Sequence, residues 1–353
     1  MKKILIIGNQ GYLGSKISDY LLEQGYDCTG ADIGFFKFGL IYQPKSIKML
    51  NKEARTIDES DIAGFDVVIQ LAGISNDPVG NLDPEMTYNP TRTYALRIAL
   101  ICKKLGVRYI FPSSCSVYGL GGNGLLDETS SVSPQTHYSI NKIQIEEDLA
   151  MISDETFSPI ALRLATVFGM SPRIRFDVVI NMLCGMAISE NQIVLNSNGL
   201  AWRPHLYIDD VCVAFHRCIE WDYRGGKLMI LNIGRSDNNW KIIDVAKFIE
   251  KSVPGCKLKF LGIDVPVDDL VKDRKIQDGV DTRNYQVSFD KVVKTLPGFD
   301  AKWTVEAGVL QLMEDLSKFK VDYSKFKQRD FYRLQQIEYL FANGKIDNTL
   351  QWN

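Results

Sequence analysis

The stretch that decides the fold is GNQGYLG, residues 8–14, which follows directly on the strand-like run KKILII. Ile4–Ile7 form an unbroken apolar run, which is typical of a parallel strand buried on both faces. The residues that follow the glycines carry apolar side chains at helical spacing. Gly8, Gly11 and Gly14 are therefore expected in a strand-to-helix turn, where backbone N–H groups can approach an anion. A plain turn that favours glycine is the alternative at this point.

The next predicted strand, in DCTGADIG, ends at Asp32. A dinucleotide-binding fold places an acid about 20 residues after its glycines, where it bonds the adenosine ribose 2′-OH. A carboxylate accepts hydrogen bonds from a ribose diol and repels a 2′-phosphate. Asp32 therefore predicts NAD(H) rather than NADP(H). The order of strand, glycines, helix, strand and acid weakens the plain-turn interpretation.

Composition bounds the remaining possibilities. The chain has 353 residues, 45% of them apolar and 24% charged, which is typical of a globular protein. The net charge of −2, without a basic block, predicts no nucleic-acid partner. No apolar run approaches membrane-spanning length and the N-terminus lacks a signal-peptide pattern, so we expect a cytoplasmic protein with no membrane partner. The 7 cysteines show no metal-binding spacing, which predicts reduced thiols and no metal site.

Strands and helices alternate in the first half of the chain. The patterns predict strands over 65–73, 107–119 and 158–169, and helices over 93–106 and 137–152. This alternation predicts an α/β fold with a doubly wound parallel sheet. Ligands bind outside the carboxyl ends of the strands in such sheets, so the glycine turn and Asp32 are expected to meet there.

The domain organisation follows from where the alternation loosens. We expect residues 1–170 to form a cofactor domain to which residues 205–235 return. Residues 171–204 and 236–320 are expected to form a smaller α/β substrate lobe. Residues 321–353 are a C-terminal extension with an amphipathic helix, expected to pack on its own body or on a second subunit.

Two further segments carry expectations. Residues 173–188, RIRFDVVINMLCGMAI, predict a helix. Residues 119–131 are rich in glycine and predict a mobile lid.

The motif YSINK places Tyr138 and Lys142 four residues apart, on one face of a helix. An ammonium beside a phenol favours the phenolate, which gives a general base for a sugar or alcohol hydroxyl while hydride leaves for NAD⁺. Ser114, in SSCSVYG, is expected at the end of a strand, where its hydroxyl can bridge a substrate oxygen and Tyr138. A serine that only caps a turn is the alternative for Ser114.

Taken together, these segments resemble the extended short-chain dehydrogenase/reductases, the NAD-dependent nucleotide-sugar epimerases and dehydratases. The resemblance reaches to about residue 315 and rests also on VVIQLAG, LRLATVFG, GLAWRPHLYIDDV and DTRNYQVSFDK. It implies a Rossmann-type sheet, a lobe that binds a nucleotide-diphosphate sugar, bound NAD and a homodimer formed through the helices at 93–106 and 137–152.

The resemblance also implies residue roles. Tyr138 is the base, Lys142 tunes it and binds the nicotinamide ribose, and Ser114 positions the substrate hydroxyl. The other implied cofactor-binding residues are Gly8, Gly11, Tyr12, Leu13, Gly14, Asp32, Asp58 (at the adenine edge), Leu71, Ala72 and Gly73. The implied substrate-binding residues, besides Ser114, are Cys115, Thr166, Asn181, Arg203, Asp281 and Tyr285. For Cys115 a packed, inert thiol is the alternative.

Departures from the family pattern point to a reaction. The 4,6-dehydratases carry Thr-Asp-Glu before VYG and the decarboxylases carry a Glu there, whereas this chain has Ser114, Cys115 and Ser116. The expected activity is therefore epimerisation through oxidation at one sugar carbon, C4. A nucleotide-sugar dehydrogenase or ketoreductase is the main alternative, followed by a 4,6-dehydratase and a non-catalytic NAD-binding regulator.

Overall fold

The computed structural model describes residues 1–75, 84–261 and 283–353. In these residues the strands are, in chain order, β1 (Lys3–Ile7), β2 (Asp27–Ala31), β3 (Lys48–Met49), β4 (Val67–Gln70), β5 (Arg108–Ser114), β6 (Leu120–Leu126), β7 (Ile160–Leu164), β8 (Thr166–Phe168), β9 (Gln192–Leu195), β10 (Trp202–Tyr207), β11 (Met229–Ile233), β12 (Asn239–Lys241), β13 (Lys257–Phe260) and β14 (Asn284–Val287). The α-helices are α1 (Tyr12–Glu23), α2 (Glu59–Ile62), α3 (Pro84–Leu105), α4 (His137–Ile152), α5 (Val179–Glu190), α6 (Ile208–Glu220), α7 (Ile242–Ser252), α8 (Asp290–Thr295), α9 (Val305–Lys318), α10 (Tyr323–Phe326) and α11 (Arg333–Ala342).

Seven strands form the central sheet in the order β11-β7-β5-β4-β1-β2-β3, and every neighbouring pair is parallel. The chain moves outward in both directions from β1, which lies between β2 and β4. This confirms the predicted α/β doubly wound sheet. The reversal of strand order beside β1 opens a crevice at the carboxyl edge of the sheet, where such folds bind ligands.

β1 shows why an unbroken apolar run was the right signal for a central strand. Ile4, Leu5, Ile6 and Ile7 are all fully buried. Alternate side chains of a strand point to opposite faces. Ile4 and Ile6 accordingly pack in the apolar layer that contains α1, and Leu5 and Ile7 pack in the layer that contains α3.

The second half of the chain builds three small sheets, ordered β12-β10-β8, β13-β9 and β14-β6. Helices α5, α7 and α9 supply a second apolar core, which includes Leu183, Ile249 and Leu312. β11 returns to the central sheet and pairs with β7. The boundaries between the cofactor domain and the substrate lobe stay a prediction.

The C-terminal extension packs on the body of its own chain. Ile337 and Leu340 of α11 form a separate apolar cluster with Phe35, Ile346 and Leu350. This cluster ties the last segment of the chain to the loop that follows β2.

Two predicted elements begin or end elsewhere in the structure. The helix predicted over 173–188 begins only at Val179. Before it, the Phe176 N–H donates to the Phe331 carbonyl at 3.1 Å, and Arg175 pairs with Asp177, so local side-chain and long-range bonds replace the helical ones. The strand predicted over 107–119 ends at Ser114 and continues as a 3₁₀ turn, Cys115–Tyr118.

The glycine-rich segment 119–131 is not an unpaired loop. Residues 120–126 form β6, which pairs with β14 in parallel. The first glycine, Gly119, has φ of 59°, and a Cβ there would meet the Ser133 carbonyl oxygen. Glycine at this position thus permits a tight turn, and the paired backbone argues against the predicted lid.

None of the helices in the described ranges is long and apolar enough to cross a bilayer. Within the same ranges, no three His, Cys, Asp or Glu side chains are grouped as metal ligands would be.

Candidate active site

A cavity of about 720 Å³ opens at the carboxyl edge of the central sheet, beside β1. Most of the residues predicted from the sequence to bind cofactor or substrate line it: Gly8, Gly11, Tyr12, Leu13, Gly14, Asp32, Leu71, Ala72, Gly73, Ser114, Tyr138, Lys142, Thr166, Arg203 and Tyr285. One continuous space therefore joins the glycine turn to the Tyr-Lys pair. This volume lies within the range of small-molecule sites.

The glycine turn is packed so closely that side chains would block it. Gly8 has φ of 93°, and a Cβ on it would lie 2.5 Å from the Ala72 nitrogen. A Cβ on Gly14 would lie 2.1 Å from the Gly8 oxygen. Gly11 is the N-cap of α1 and supplies no side-chain cap, so the first N–H groups of the helix stay available for an anion. The turn fits a dinucleotide pyrophosphate.

We expect Gly8→Ala to destabilise the protein and to abolish NAD binding. The strained φ and the clash with Ala72 together cost about 3 kcal/mol or more. Gly25→Ala is the matched control, because Gly25 also has a positive φ (83°) but nothing lies within 4 Å of its Cβ position. The control should cost about 1 kcal/mol and keep NAD binding. Thermal unfolding and NAD titration check both variants, and equal behaviour of the two would contradict the role given to the Gly8 turn.

Asp32 lies at the end of β2 with its carboxylate held in place. One oxygen accepts the Gln10 N–H at 2.9 Å and the other accepts the Gly34 N–H at 2.7 Å. Burial raises the pKa of Asp32, and these two N–H groups act in the opposite direction. Both oxygens keep a lone pair for further donors, which suits a ribose diol.

The structure places Asp58 at a helix terminus, and its adenine-edge role stays a prediction. Its side chain accepts hydrogen bonds from the Ser60 and Asp61 N–H groups as the N-cap of α2, and it pairs with Lys52 at 2.7 Å. Asp58 does not line the cavity. The wall near Asp32 is formed instead by residues 53–55, with Arg55 among them.

The Tyr-Lys pair lies in the first two turns of α4. Thr136 caps this helix, because its side chain accepts the Ser139 N–H. The Lys142 ammonium lies 5.5 Å from the centre of the Tyr138 ring and donates to the Pro112 carbonyl at 2.7 Å. The helix cap and the bond to β5 together fix both side chains at the cavity wall.

Lys142 is a buried cation, with 9% of its surface exposed. Burial lowers its pKa to about 7, although Glu146 favours the charged form. Its ammonium also lies 4.4 Å from the centre of the Phe111 ring, which gives a cation–π contact. A nearby negative charge such as a phenolate would therefore favour the protonated form of Lys142.

Ser114 is half-buried at the end of β5. Its hydroxyl oxygen accepts the Ser116 N–H at 3.1 Å and so starts the 3₁₀ turn. The same side chain lines the cavity. The turn-capping and substrate-facing interpretations of Ser114 are thus compatible.

A buried polar network lies beneath α4, and sequence reasoning missed it. Arg163 of β7 binds Glu146 of α4 through two nitrogens, with the shortest contact at 2.7 Å. Ser113 of β5 donates to the same carboxylate, and Arg163 donates to the Tyr118 hydroxyl at 3.0 Å. The network joins α4 to two strands of the central sheet. No local sequence motif predicts pairs of residues so far apart in the chain.

The opposite part of the cavity contains the residues implied for nucleotide-sugar binding. The Arg203 guanidinium lies 5.5 Å from the centre of the Tyr285 ring and donates to the Trp202 carbonyl at 2.8 Å. Arg203 is 7% exposed, and Thr166 of β8 also lines this part. Arg203 can thus present its charge to a diphosphate. Asp281 lies outside the described residues.

Two implied substrate-binding residues lie behind the cavity wall. Cys115 is 1% exposed and its thiol donates to the Arg163 carbonyl at 3.2 Å, so the packed thiol is the interpretation we retain. Asn181 is fully buried; its side chain accepts the Gly169 N–H at 2.9 Å and donates to the Tyr12 hydroxyl at 3.3 Å. Their polar atoms are used inside the protein, and neither residue lines the cavity.

The cavity also contains charged residues that were not predicted. Arg175 and Asp177 pair at 2.9 Å, and both line the cavity in the non-helical segment before α5. Arg333, from the C-terminal extension, is a third charged residue that lines the cavity and was not predicted. An Arg-x-Asp spacing in 173–188 could have indicated this ion pair. The same residues also match a helical pattern, and we followed that pattern instead.

Comparison with known proteins adds a family and a set of similar folds. The model of the NAD dependent epimerase/dehydratase family matches residues 4–234. The chain resembles the NAD-dependent NDP-hexosamine 5,6-dehydratase TunA of tunicamycin biosynthesis, with a TM-score of 0.75, 19% identity, and 90% of this chain and 98% of that one covered.

Two solved epimerases are similar to a comparable degree. UDP-glucose 4-epimerase of Thermotoga maritima, solved with UDP-glucose, has a TM-score of 0.72 at 20% identity, and UDP-glucuronic acid 4-epimerase of Bacillus cereus, solved with UDP-glucuronic acid and NAD, has 0.71 at 21%. Each comparison covers 90% of this chain and 99% of the other. At these identities the likeness establishes the fold.

Proposed function

Because the chain belongs to the NAD dependent epimerase/dehydratase family, we propose that it is a nucleotide-diphosphate-sugar epimerase acting at C4. One observation carries the choice of reaction. Tyr138, Lys142 and Ser114 share a cavity with the glycine turn, while the turn after Ser114 holds Cys115 and Ser116 where an elimination would need a carboxylate.

The carboxylates that line the cavity in the described residues are otherwise engaged. Asp177 is paired with Arg175, and Asp32 is held by two backbone N–H groups. Glu53 accepts from the Arg55 side chain at 3.1 Å. A dehydratase needs a free acid or base beside the sugar carbon that loses water. The engagement of these carboxylates therefore favours epimerisation over dehydration.

The residues of the chain perform the proton steps. NAD held by the glycine turn and Asp32 would supply the hydride acceptor for oxidation of the sugar carbon and the hydride donor for its reduction from the opposite face. The Tyr138 phenolate takes the hydroxyl proton as the carbonyl forms and gives it back when the carbonyl is reduced. Ser114 donates to the sugar oxygen, and the Lys142 ammonium stabilises the phenolate. No electrons are gained or lost overall, so the proposed reaction needs no second oxidant.

Substrate recognition is proposed for the opposite part of the cavity. Arg203 is placed to bind the diphosphate, since a guanidinium matches two phosphate oxygens at once. Tyr285 lies below that guanidinium and also lines the cavity. Asp281 remains a proposed contact on the strength of the family resemblance.

We also propose a cytoplasmic homodimer. The 7 cysteines are buried and unpaired, which suits a reducing compartment. Helices α3 and α4 carry exposed apolar side chains, Leu100 at 45%, Ile140 at 39% and Met151 at 75%. Such side chains are suited to a helix-pair interface. Sedimentation equilibrium of the purified chain tests the dimer.

The proposed activity is tested with a panel of UDP-, GDP-, CDP- and dTDP-sugars. We expect one member to equilibrate with its C4 isomer, as seen by NMR, without accumulation of NADH at 340 nm, the wavelength at which reduced nicotinamide absorbs. NADH formed in step with product would identify a dehydrogenase. An unsaturated or deoxy-keto sugar would identify a dehydratase. Retained NAD with no turnover on any sugar would favour the non-catalytic regulator.

A further inference from the structure

The C-terminal extension, residues 321–353, forms one wall of the cavity. Arg333, Ile337 and Leu350 line that wall. The proposed proton steps use none of these residues. The extension therefore has a place in the site that the epimerase chemistry does not explain.

This wall is fastened to the loop that follows Asp32. The Gln336 side chain donates to the Phe35 carbonyl at 3.0 Å, and the Trp352 indole donates to the Ile33 carbonyl at 2.6 Å. Arg55, from the wall near Asp32, donates to two carbonyls at the end of the extension. The extension thus covers the side of the cavity where the adenosine ribose is expected.

Arg333 brings a buried positive charge to this wall. It is 6% exposed, and its guanidinium stacks on the Phe36 ring at 4.2 Å. Its side chain reaches the Arg173 carbonyl at 3.4 Å, and it forms no ion pair with any carboxylate of the described residues. Burial, and then the neighbouring Arg175, lower the pKa of Arg333 to about 9, which leaves it charged at neutral pH.

In the described ranges, the guanidinium of Arg333 has no carboxylate in direct contact with it. Arg173 is 7% exposed, and its Nε has no hydrogen-bond partner among the described residues. Asp177 pairs with Arg175 and also accepts the Arg333 backbone N–H at 3.2 Å, while Asp32 and Asp19 act on this group from a greater distance. Among the described residues, neither Arg333 nor Arg173 forms a side-chain ion pair with a carboxylate. A buried cation without a partner is costly, so an anionic ligand would stabilise this arrangement.

We propose that Arg333 contacts the pyrophosphate of NAD and that the extension retains the cofactor. This rests on the proposed NAD site and adds to it a cofactor contact from outside the Rossmann sheet. The position of Arg333 on the Asp32 side favours the cofactor's pyrophosphate over the diphosphate of the sugar nucleotide, which lies toward Arg203. A doubly charged pyrophosphate supplies the missing negative charge.

The arrangement has a consequence for turnover. The bonds of α11 and the tail to the loop at 33–36 lie on the Asp32 side of the cavity, so under this proposal they slow the release of NAD. An enzyme that returns its hydride within each cycle benefits from a retained cofactor, whereas one that releases NADH does not. The extension therefore agrees with epimerisation.

The test compares Arg333→Met with Arg329→Met in protein stripped of NAD. Arg329 is the matched control, because it lies in the same extension, stacks on Tyr339 at 3.6 Å, pairs with Asp330 and does not line the cavity. Isothermal titration measures the binding of NAD, ADP-ribose, adenosine and UDP. We expect Arg333→Met to weaken NAD and ADP-ribose binding about 10- to 100-fold while adenosine and UDP bind as to the unmodified protein. Arg329→Met should bind all four normally.

Several results would overturn the proposal. Normal NAD binding by Arg333→Met would refute the pyrophosphate contact. Equal weakening of adenosine binding would indicate a purely structural role. Selective weakening of UDP binding would assign Arg333 to the sugar nucleotide. If Arg333→Met unfolds, Arg333→Lys is used in its place, because lysine keeps the charge without the planar guanidinium. NAD binding weakened several-fold with normal adenosine binding would support the contact, and normal NAD binding would refute it. Epimerase turnover is measured separately, on the unmodified protein and on Arg329→Met. A negative result for the Arg333 contact therefore leaves the proposed epimerase activity untouched, and absence of turnover in the unmodified protein would count against the proposed function alone.

Discussion

Replacement of Tyr138 by Phe should abolish turnover while NAD stays bound. The phenol is the group that takes the sugar hydroxyl proton in the proposed reaction, and general acid–base groups contribute about 10²- to 10⁴-fold to rates. The ring itself remains in Tyr138→Phe, so the cavity keeps its shape. We therefore expect kcat to fall at least about 10²-fold with the Kd for NAD little changed. Steady-state kinetics on the sugar identified from the panel, together with NAD titration, measure both effects.

Tyr20→Phe is the control for this prediction. The Tyr20 hydroxyl lies 3.3 Å from Nδ1 of His216, and Tyr20 does not line the cavity. Its variant should turn over substrate at the normal rate. If Tyr138→Phe keeps the rate of the unmodified enzyme, the proposed mechanism is wrong and only the family and the fold remain.

The parts of the site that depend on local rules could be predicted from the sequence. The apolar run of β1, the glycine turn and Asp32 each follow from steric or hydrogen-bonding requirements of neighbouring residues. The same holds for Tyr138 and Lys142, because the helical repeat alone places them on one face. These residues line one cavity in the structure.

Asp58 shows how a local rule can be overlooked. Asp58 and Asp61 bond each other's backbone N–H groups in a capping box. A polar residue followed three positions later by an acid is a known helix-start pattern. Reading that pattern would have assigned Asp58 to a helix terminus, in addition to the proposed adenine contact.

The remaining part of the site depends on contacts between distant residues. The Gln336 side chain bonds a carbonyl 301 positions earlier in the chain. The position of Arg333 against Asp32 depends on how the extension folds back, and periodicity within the extension predicts a helix but not its partner. The non-helical conformation of 173–178 likewise depends on the bond from Phe176 to Phe331. Tertiary packing therefore decides what the local pattern leaves open.

Lys142→Met should inactivate the enzyme and stabilise its fold. The ammonium that supports the Tyr138 phenolate is removed, so we expect kcat to fall about 10²- to 10⁴-fold. The same substitution replaces a buried cation by an apolar side chain of similar length, which relieves the cost of burying the charge. Lys104→Met is the control, because the Lys104 side chain is 66% exposed on α3 and should affect neither property.

The pH dependence of this stabilisation has a definite sign. The pKa of Lys142 is about 7 in the folded protein, below the ordinary 10.5 of the unfolded chain. Between these values the unfolded chain binds more protons than the folded one, so the free energy of unfolding of the unmodified protein rises with pH. The advantage of Lys142→Met is therefore greatest below pH 7, on the order of a few kcal/mol, and shrinks as the pH approaches 10. Urea unfolding of the NAD-free proteins at pH 6 and pH 9.5 measures it. A variant no more stable than the unmodified protein at pH 6 would mean that Lys142 is not held as a destabilising buried cation.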